Sequence, residues 1–101
     1  MNYANQFGYS DVSPCEVVKV ISEKTIEIRY MDTEALPWKR EFHPGGFFGN
    51  TSNQNDQKWK ITSNPENHVF RIRLGKNGWK DKYGNRYKLA DEPIKFYDFN
   101  F

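Results

Sequence analysis

The feature that most constrains the fold is a pair of strand-like segments around a short polar turn at residues 22–24. The first segment, residues 15–21, is rich in β-branched side chains, and in the second, residues 25–31, apolar and polar side chains alternate. Alternation of period two places one face of a strand in the core and the other in water. The pattern therefore predicts a β-hairpin. Its predicted inward side chains are Val18, Val20, Ile26, Ile28 and Tyr30.

The rest of the chain also favours strands. Strand patterns recur at residues 57–62, 68–74 and 86–89, with turn signals between them, and residues 94–101 are aromatic enough for a closing edge strand. No window of eleven residues has helical spacing of apolar positions, so any helix is confined to one turn around residues 32–36. The chain predicts a mainly β fold, either a small antiparallel barrel or a strongly bent sheet of six to seven short strands.

The length of 101 residues fits one domain, and the 17% aromatic content supplies core area that the few aliphatic residues do not. Residues 1–14 mix polar residues and scattered rings, which predicts an irregular N-terminal lead-in. Residues 15–101 are expected to form a single β domain with a long polar loop at residues 45–57.

That loop is a candidate binding element, because long loops in compact domains are usually functional or mobile. It contains aromatic rings flanked by amide side chains that both donate and accept hydrogen bonds. The candidate contacts are Phe47, Phe48, Asn53 and Gln54. The alternative is a mobile connection whose two rings pack into the core.

Positive charge is concentrated in one segment. Residues 57–88 contain nine Lys and Arg against two acidic residues, although the whole chain carries only +2. Pairs of cations two residues apart share a face of their strands. If these strands are neighbours, six cations stand on one surface, and Trp79 and Tyr83 in adjoining turns are placed to stack on unpaired bases. The six cations are Lys58, Lys60, Arg71, Arg73, Arg86 and Lys88.

Three interpretations of this basic surface stay open. It suits the phosphate backbone of a nucleic acid, and it equally suits an acidic protein partner. It is also what the solvated face of an antiparallel sheet looks like, since charged residues populate such faces and their stems cover apolar surface.

Signals for catalysis, metals and membranes are weak. The single cysteine, Cys15, excludes an internal disulfide and a zinc site built on thiolates, and its β-branched surroundings predict a buried, inert thiol. The two histidines, His43 and His68, are not at ligand spacing, and no nucleophile or phosphate-loop motif occurs. No apolar run reaches the length of a membrane span. We expect a cytoplasmic, non-catalytic binding protein without metal or cofactor.

Several segments resemble a family of small uncharacterised proteins carried by phages and bacterial mobile elements. They are residues 14–31, the Pro-Gly-Gly-Phe sequence at 44–47, Asn53-Gln54 and residues 92–101. The resemblance implies a bacterial or phage cytoplasmic setting and an accessory role in element maintenance or against host defence, and it transfers no functional residues. The opening hairpin is similar to the first two strands of SH3-like barrels, which makes a small antiparallel SH3-like barrel the expected fold.

Overall fold

The computed structural model describes residues 2–36, 42–43, 50–51 and 58–97, and these residues form eleven strands. No helix in this part of the chain is long and apolar enough to cross a membrane. The strands are β1 (Tyr3–Phe7), β2 (Val12–Ser13), β3 (Cys15–Ser22), β4 (Thr25–Tyr30), β5 (Asp32–Ala35), β6 (Phe42–His43), β7 (Asn50–Thr51), β8 (Trp59–Thr62), β9 (Val69–Gly75), β10 (Gly78–Lys80) and β11 (Arg86–Ala90).

Six of these strands close into a small antiparallel barrel, which confirms the predicted fold class. The sheet order is β11-β10-β9-β4-β3-β1, and β1 pairs back with β11 over five residues. Strand β2 adds to β1 as a seventh strand. Closure pairs the edges of β1 and β11, which an open sheet would leave exposed.

The predicted hairpin is present as β3 and β4, and its second strand supplies the centre of the core. Ile26 and Ile28 are buried, whereas Tyr30 keeps 39% of its surface exposed. The fully buried apolar cluster consists of Ala4, Cys15, Ile26, Ile28, Ile72 and Tyr87, with Val17, Phe70, Trp79 and Leu89 packed against it.

The inward placement of Val18 and Val20 is wrong. The pairing of β3 with β4 shifts between Val17 and Lys19, so Val17 and not Val18 lies opposite Ile28. The bulge leaves Val18 without an opposite residue on β4 and puts Val20 opposite Ile26. Val18 and Val20 are 42% and 68% exposed, because β1 borders β3 only near its beginning and leaves the later residues uncovered.

The N-terminal segment is also not an irregular lead-in. Strand β1 lies inside residues 1–14, pairs with β11 and buries Ala4. The neighbouring Asn5 is only 1% exposed, and its side chain donates to the carbonyl of Glu92 (3.1 Å) and accepts from the amide of Ile94 (2.9 Å). The chain after β11 thus covers the outer side of β1. An amide that makes these bonds is tolerated in the interior.

In the described part of the predicted closing strand, residues 94–97, the chain belongs to this covering segment and forms no strand. Within it, Phe96 forms an isolated bridge with Val12, and residues 98–101 lie outside the described part of the chain. The barrel is instead closed by β1 and β11.

A two-stranded ribbon connects β4 to β9. Strand β5 pairs with β8, and β6 pairs with β7 inside that connection. Residues 32–36 therefore contain a strand and no helical turn. Strand β7 falls within the predicted loop at residues 45–57, while Phe47, Phe48, Asn53 and Gln54 lie outside the described residues.

Candidate nucleic-acid interface

Three cations form a row across the outer face of the barrel, here called the cationic row: Arg73 on β9, Lys80 on β10 and Arg86 on β11. Lys80 lies directly opposite Arg73 on one side and Arg86 on the other. Residues directly opposite each other in antiparallel strands have Cα atoms about 4.5 to 5.5 Å apart. The alternate residues Ile72 and Tyr87 are buried, so these cations face outward.

The cationic row has no acidic partner among the described residues. Other cations on the barrel do have one: Arg71 pairs with Glu27 at 3.0 Å, and Arg29 pairs with Glu16. Like charges directly opposite each other destabilise a sheet. An anion bound along the row would offset that repulsion.

The predicted surface of six cations is not formed, because its members lie on two different sheets. Lys58 immediately precedes β8, and Lys60 lies on it opposite Glu34 in the ribbon. Strand β8 pairs with β5 and with no strand of the barrel.

The four remaining predicted cations are on the barrel, but they differ in whether another side chain already contacts their charged group. Arg73 and Arg86 belong to the cationic row, whereas Arg71 is paired with Glu27. The ammonium group of Lys88 lies 5.2 Å from the centroid of the Phe7 ring, a cation–π distance. The cationic row therefore contains two of the six predicted cations. Its third member, Lys80, was not among them and lies on the strand between the other two.

Trp79 does not lie in a turn as predicted. It occupies β10 opposite Leu74 and Tyr87, and its ring packs against the core. Tyr83, by contrast, is 79% exposed in the turn at residues 81–85, with the Lys82 ammonium group 5.1 Å from its ring centroid. Of the two rings proposed for stacking, Tyr83 is the accessible one.

A groove of about 940 Å³ lies beside the cationic row. It exists because β10 pairs only with Arg73, Leu74 and Gly75 of β9 and the chain then turns away at residues 81–85. The groove is lined by the rings of Tyr30 and Phe70 and by several cations. These cations are Arg71, Arg73, Lys76, Lys80 and Lys82.

The turn at residues 81–85 is held by the carboxylate of Asp81. Its Oδ1 accepts from the amides of Tyr83 (2.9 Å) and Asn85 (3.0 Å), and its Oδ2 accepts from the Asn85 side chain and the Tyr87 hydroxyl, both at 2.9 Å. Gly84 takes φ +86°, which residues with a Cβ rarely adopt. The turn that carries Lys82 and Tyr83 is thus anchored to a buried core residue.

These bonds also set the ionisation of the two anchoring groups. Burial raises the pKa of Asp81, but the hydrogen bonds from Asn85, Tyr87 and Tyr83 outweigh it and hold the pKa below its usual value. Burial, followed by the bond to Asp81, raises the pKa of Tyr87 far above its usual value. Asp81 is therefore a charged acceptor with four hydrogen bonds, engaged in holding the turn.

Cys15 is fully buried, and burial raises its pKa to about 12. The thiolate is the reactive form, so the geometry offers no nucleophile at this position. In the parts of the chain that the structure describes, no three His, Cys, Asp or Glu side chains are grouped to hold a metal ion.

Cys15 should react with a thiol reagent only after unfolding. We expect the native protein to be labelled orders of magnitude more slowly than the urea-unfolded chain, because the reagent must wait for an opening of the core. Absorbance of the released thiolate dye measures this. Rapid stoichiometric labelling of native protein would contradict the burial of the thiol.

No protein-family model, curated protein or solved structure matches the chain. The cationic row and the groove are therefore the observations that bear on function.

Proposed function

We propose that the protein is a non-catalytic binding module that binds single-stranded nucleic acid on the outer face of its barrel. The observation that carries the proposal is the cationic row: three neighbouring cations, in register on three strands, without an acidic partner in the described residues. Cations that neutralise phosphates release condensed counterions, which drives binding. Two of the three are arginines, whose guanidinium groups bind phosphate through two parallel hydrogen bonds.

The groove favours a nucleic acid over an acidic protein surface. An acidic protein needs only the charges, whereas here the rings of Tyr30 and Phe70 open beside them and Tyr83 stands exposed at the neighbouring turn. Aromatic side chains next to a basic track are the usual means of binding unpaired bases. From the resemblance to small phage and mobile-element proteins we further propose a role in the bacterial cytoplasm during element maintenance.

Fluorescence anisotropy with a labelled single-stranded oligonucleotide tests the proposal. Binding should be measurable at about 50 mM salt, and the logarithm of the binding constant should fall with the logarithm of salt concentration with a slope of about −2, as three neutralised phosphates predict. Replacing Lys80 by glutamate should weaken binding at least about tenfold, because the new charge stands between two arginines.

Lys58→Glu is the matched control, because it makes the same charge change at an exposed lysine of the ribbon, next to β8, which pairs with β5 and with no strand of the barrel. Its effect should stay within about threefold, since exposed charges beyond a Debye length are screened. Equal losses of affinity in both variants would show that only the net charge of the protein matters. Absence of binding at low salt, or equally tight binding of poly-glutamate, would overturn the proposal.

A further inference from the structure

We infer that the groove between β9 and the turn at residues 81–85 is a subsite for one unpaired base, an inference that rests on the proposed function. The cationic row alone would bind any phosphate chain. The groove adds a place where a base can leave solvent while its flanking phosphates stay on the row.

The subsite arises from a difference in strand length. Strand β9 has seven residues and β10 has three, so the first half of β9 has β4 as a neighbour on one side and the groove on the other. Along this half of β9, a side chain that points into the barrel is accessible to a ligand from outside. Phe70 is only half-buried, although it packs against the core cluster.

The aromatic rings of the groove pack against each other and against Tyr87 of the core. The ring centroids of Tyr30 and Phe70 are 5.4 Å apart, and Phe70 lies 6.1 Å from Tyr87, whose hydroxyl is bound to Asp81. Tyr30 is 39% exposed and belongs to the lining of the groove. A base that stacks here meets a supported ring, so little side-chain freedom is lost on binding.

The charge and the size of the groove admit a nucleotide. Arg73 and Lys80 belong to both the cationic row and the groove lining, so a phosphate on the row stands next to a base in the groove. On the other side of the groove, Lys82 and Tyr83 follow Asp81 in the anchored turn. A volume of about 940 Å³ is within the range of small-ligand sites.

A base in a duplex is stacked and paired, and extruding it costs a few kcal/mol. The subsite therefore selects single strands over duplexes. It does not require a particular base, because every base has a π face.

The test compares two probes with equal charge: a twelve-residue oligothymidylate and an abasic strand with the same number of phosphates. The wild-type protein should bind the oligothymidylate about tenfold more tightly, as expected for one stacked base. Tyr30→Leu should remove most of this preference and leave binding of the abasic strand unchanged. Tyr9→Leu, at a 94% exposed tyrosine near the β1–β2 turn, is the control and should keep the preference.

The outcomes separate the subsite from the proposed function. Equal binding of both strands by wild-type protein overturns the subsite and leaves phosphate binding by the row intact. Binding of neither strand overturns the proposed function itself. Because the wild-type comparison needs no substitution, it decides the question even if Tyr30→Leu is unstable. A duplex that binds as tightly as the oligothymidylate also overturns the subsite.

Discussion

Replacing Ile28 by alanine should lower the free energy of unfolding by about 2 to 4 kcal/mol. Ile28 is fully buried on β4, with Val17 of β3 opposite on one side and Phe70 of β9 on the other. Truncation removes apolar contacts to both strands and leaves a cavity that a closed barrel cannot easily collapse. Urea unfolding followed by tryptophan fluorescence measures the loss.

Val20→Ala is the matched control in the same hairpin. Val20 lies opposite Ile26 but is 68% exposed, so its truncation should cost less than about 0.5 kcal/mol. The sequence pattern predicts that Val20 and Ile28 both point inward, whereas only Ile28 is buried in the structure. The two variants therefore test the structure against the pattern. Similar losses at both positions, or a loss under about 0.5 kcal/mol at Ile28, would contradict the core described above.

The fold class could be predicted because strands of the barrel carry their own signal. In β4 the alternation of Ile26 and Ile28 with polar residues is visible in the sequence, and both are buried. Strand β1 has no such alternation. Its inward residue Ala4 is small, and Asn5 on the outer side is buried through bonds to residues 92 and 94, nearly ninety positions away in the chain.

The candidate site was predicted only in part, for a related reason. Period two shows which face of a strand a side chain occupies, so Arg73 and Arg86 could be placed outward. It does not show which strands are neighbours, and Lys60 belongs to the ribbon as a result. Strand β10 has three residues, too few for a pattern to reveal that Trp79 points inward and Lys80 outward.

Replacing Asp81 by asparagine should destabilise the protein by about 1 to 2 kcal/mol at neutral pH. The carboxylate accepts four hydrogen bonds, from two backbone amides, the Asn85 side chain and the Tyr87 hydroxyl. An asparagine amide has one oxygen, and its nitrogen cannot accept. Two donors of the turn and core therefore lose their acceptor. Urea unfolding of both proteins measures the difference.

The stability difference between wild type and Asp81→Asn should decrease at low pH. The pKa of Asp81 is lower in the folded protein than in the unfolded chain, so its charged form contributes stability above the unfolded pKa of about 4. That contribution is lost as the pH falls through the folded pKa. The difference in the free energy of unfolding between wild type and variant should thus narrow at about pH 3. Glu23→Gln is the control, because it removes a charge from the exposed β3–β4 turn. It should have little effect on stability at neutral pH.

The same Asp81→Asn variant separates two effects on oligonucleotide binding. Removing a negative charge beside Lys80 and Lys82 should strengthen phosphate binding if electrostatics alone decide. Loss of the anchored turn should weaken binding, because Lys82 and Tyr83 are positioned by the bonds to Asp81. We expect weakening of about threefold to tenfold in the anisotropy assay at low salt, under conditions where the variant is fully folded. Tighter binding would show that the row acts without the turn and that the groove wall has no part in binding.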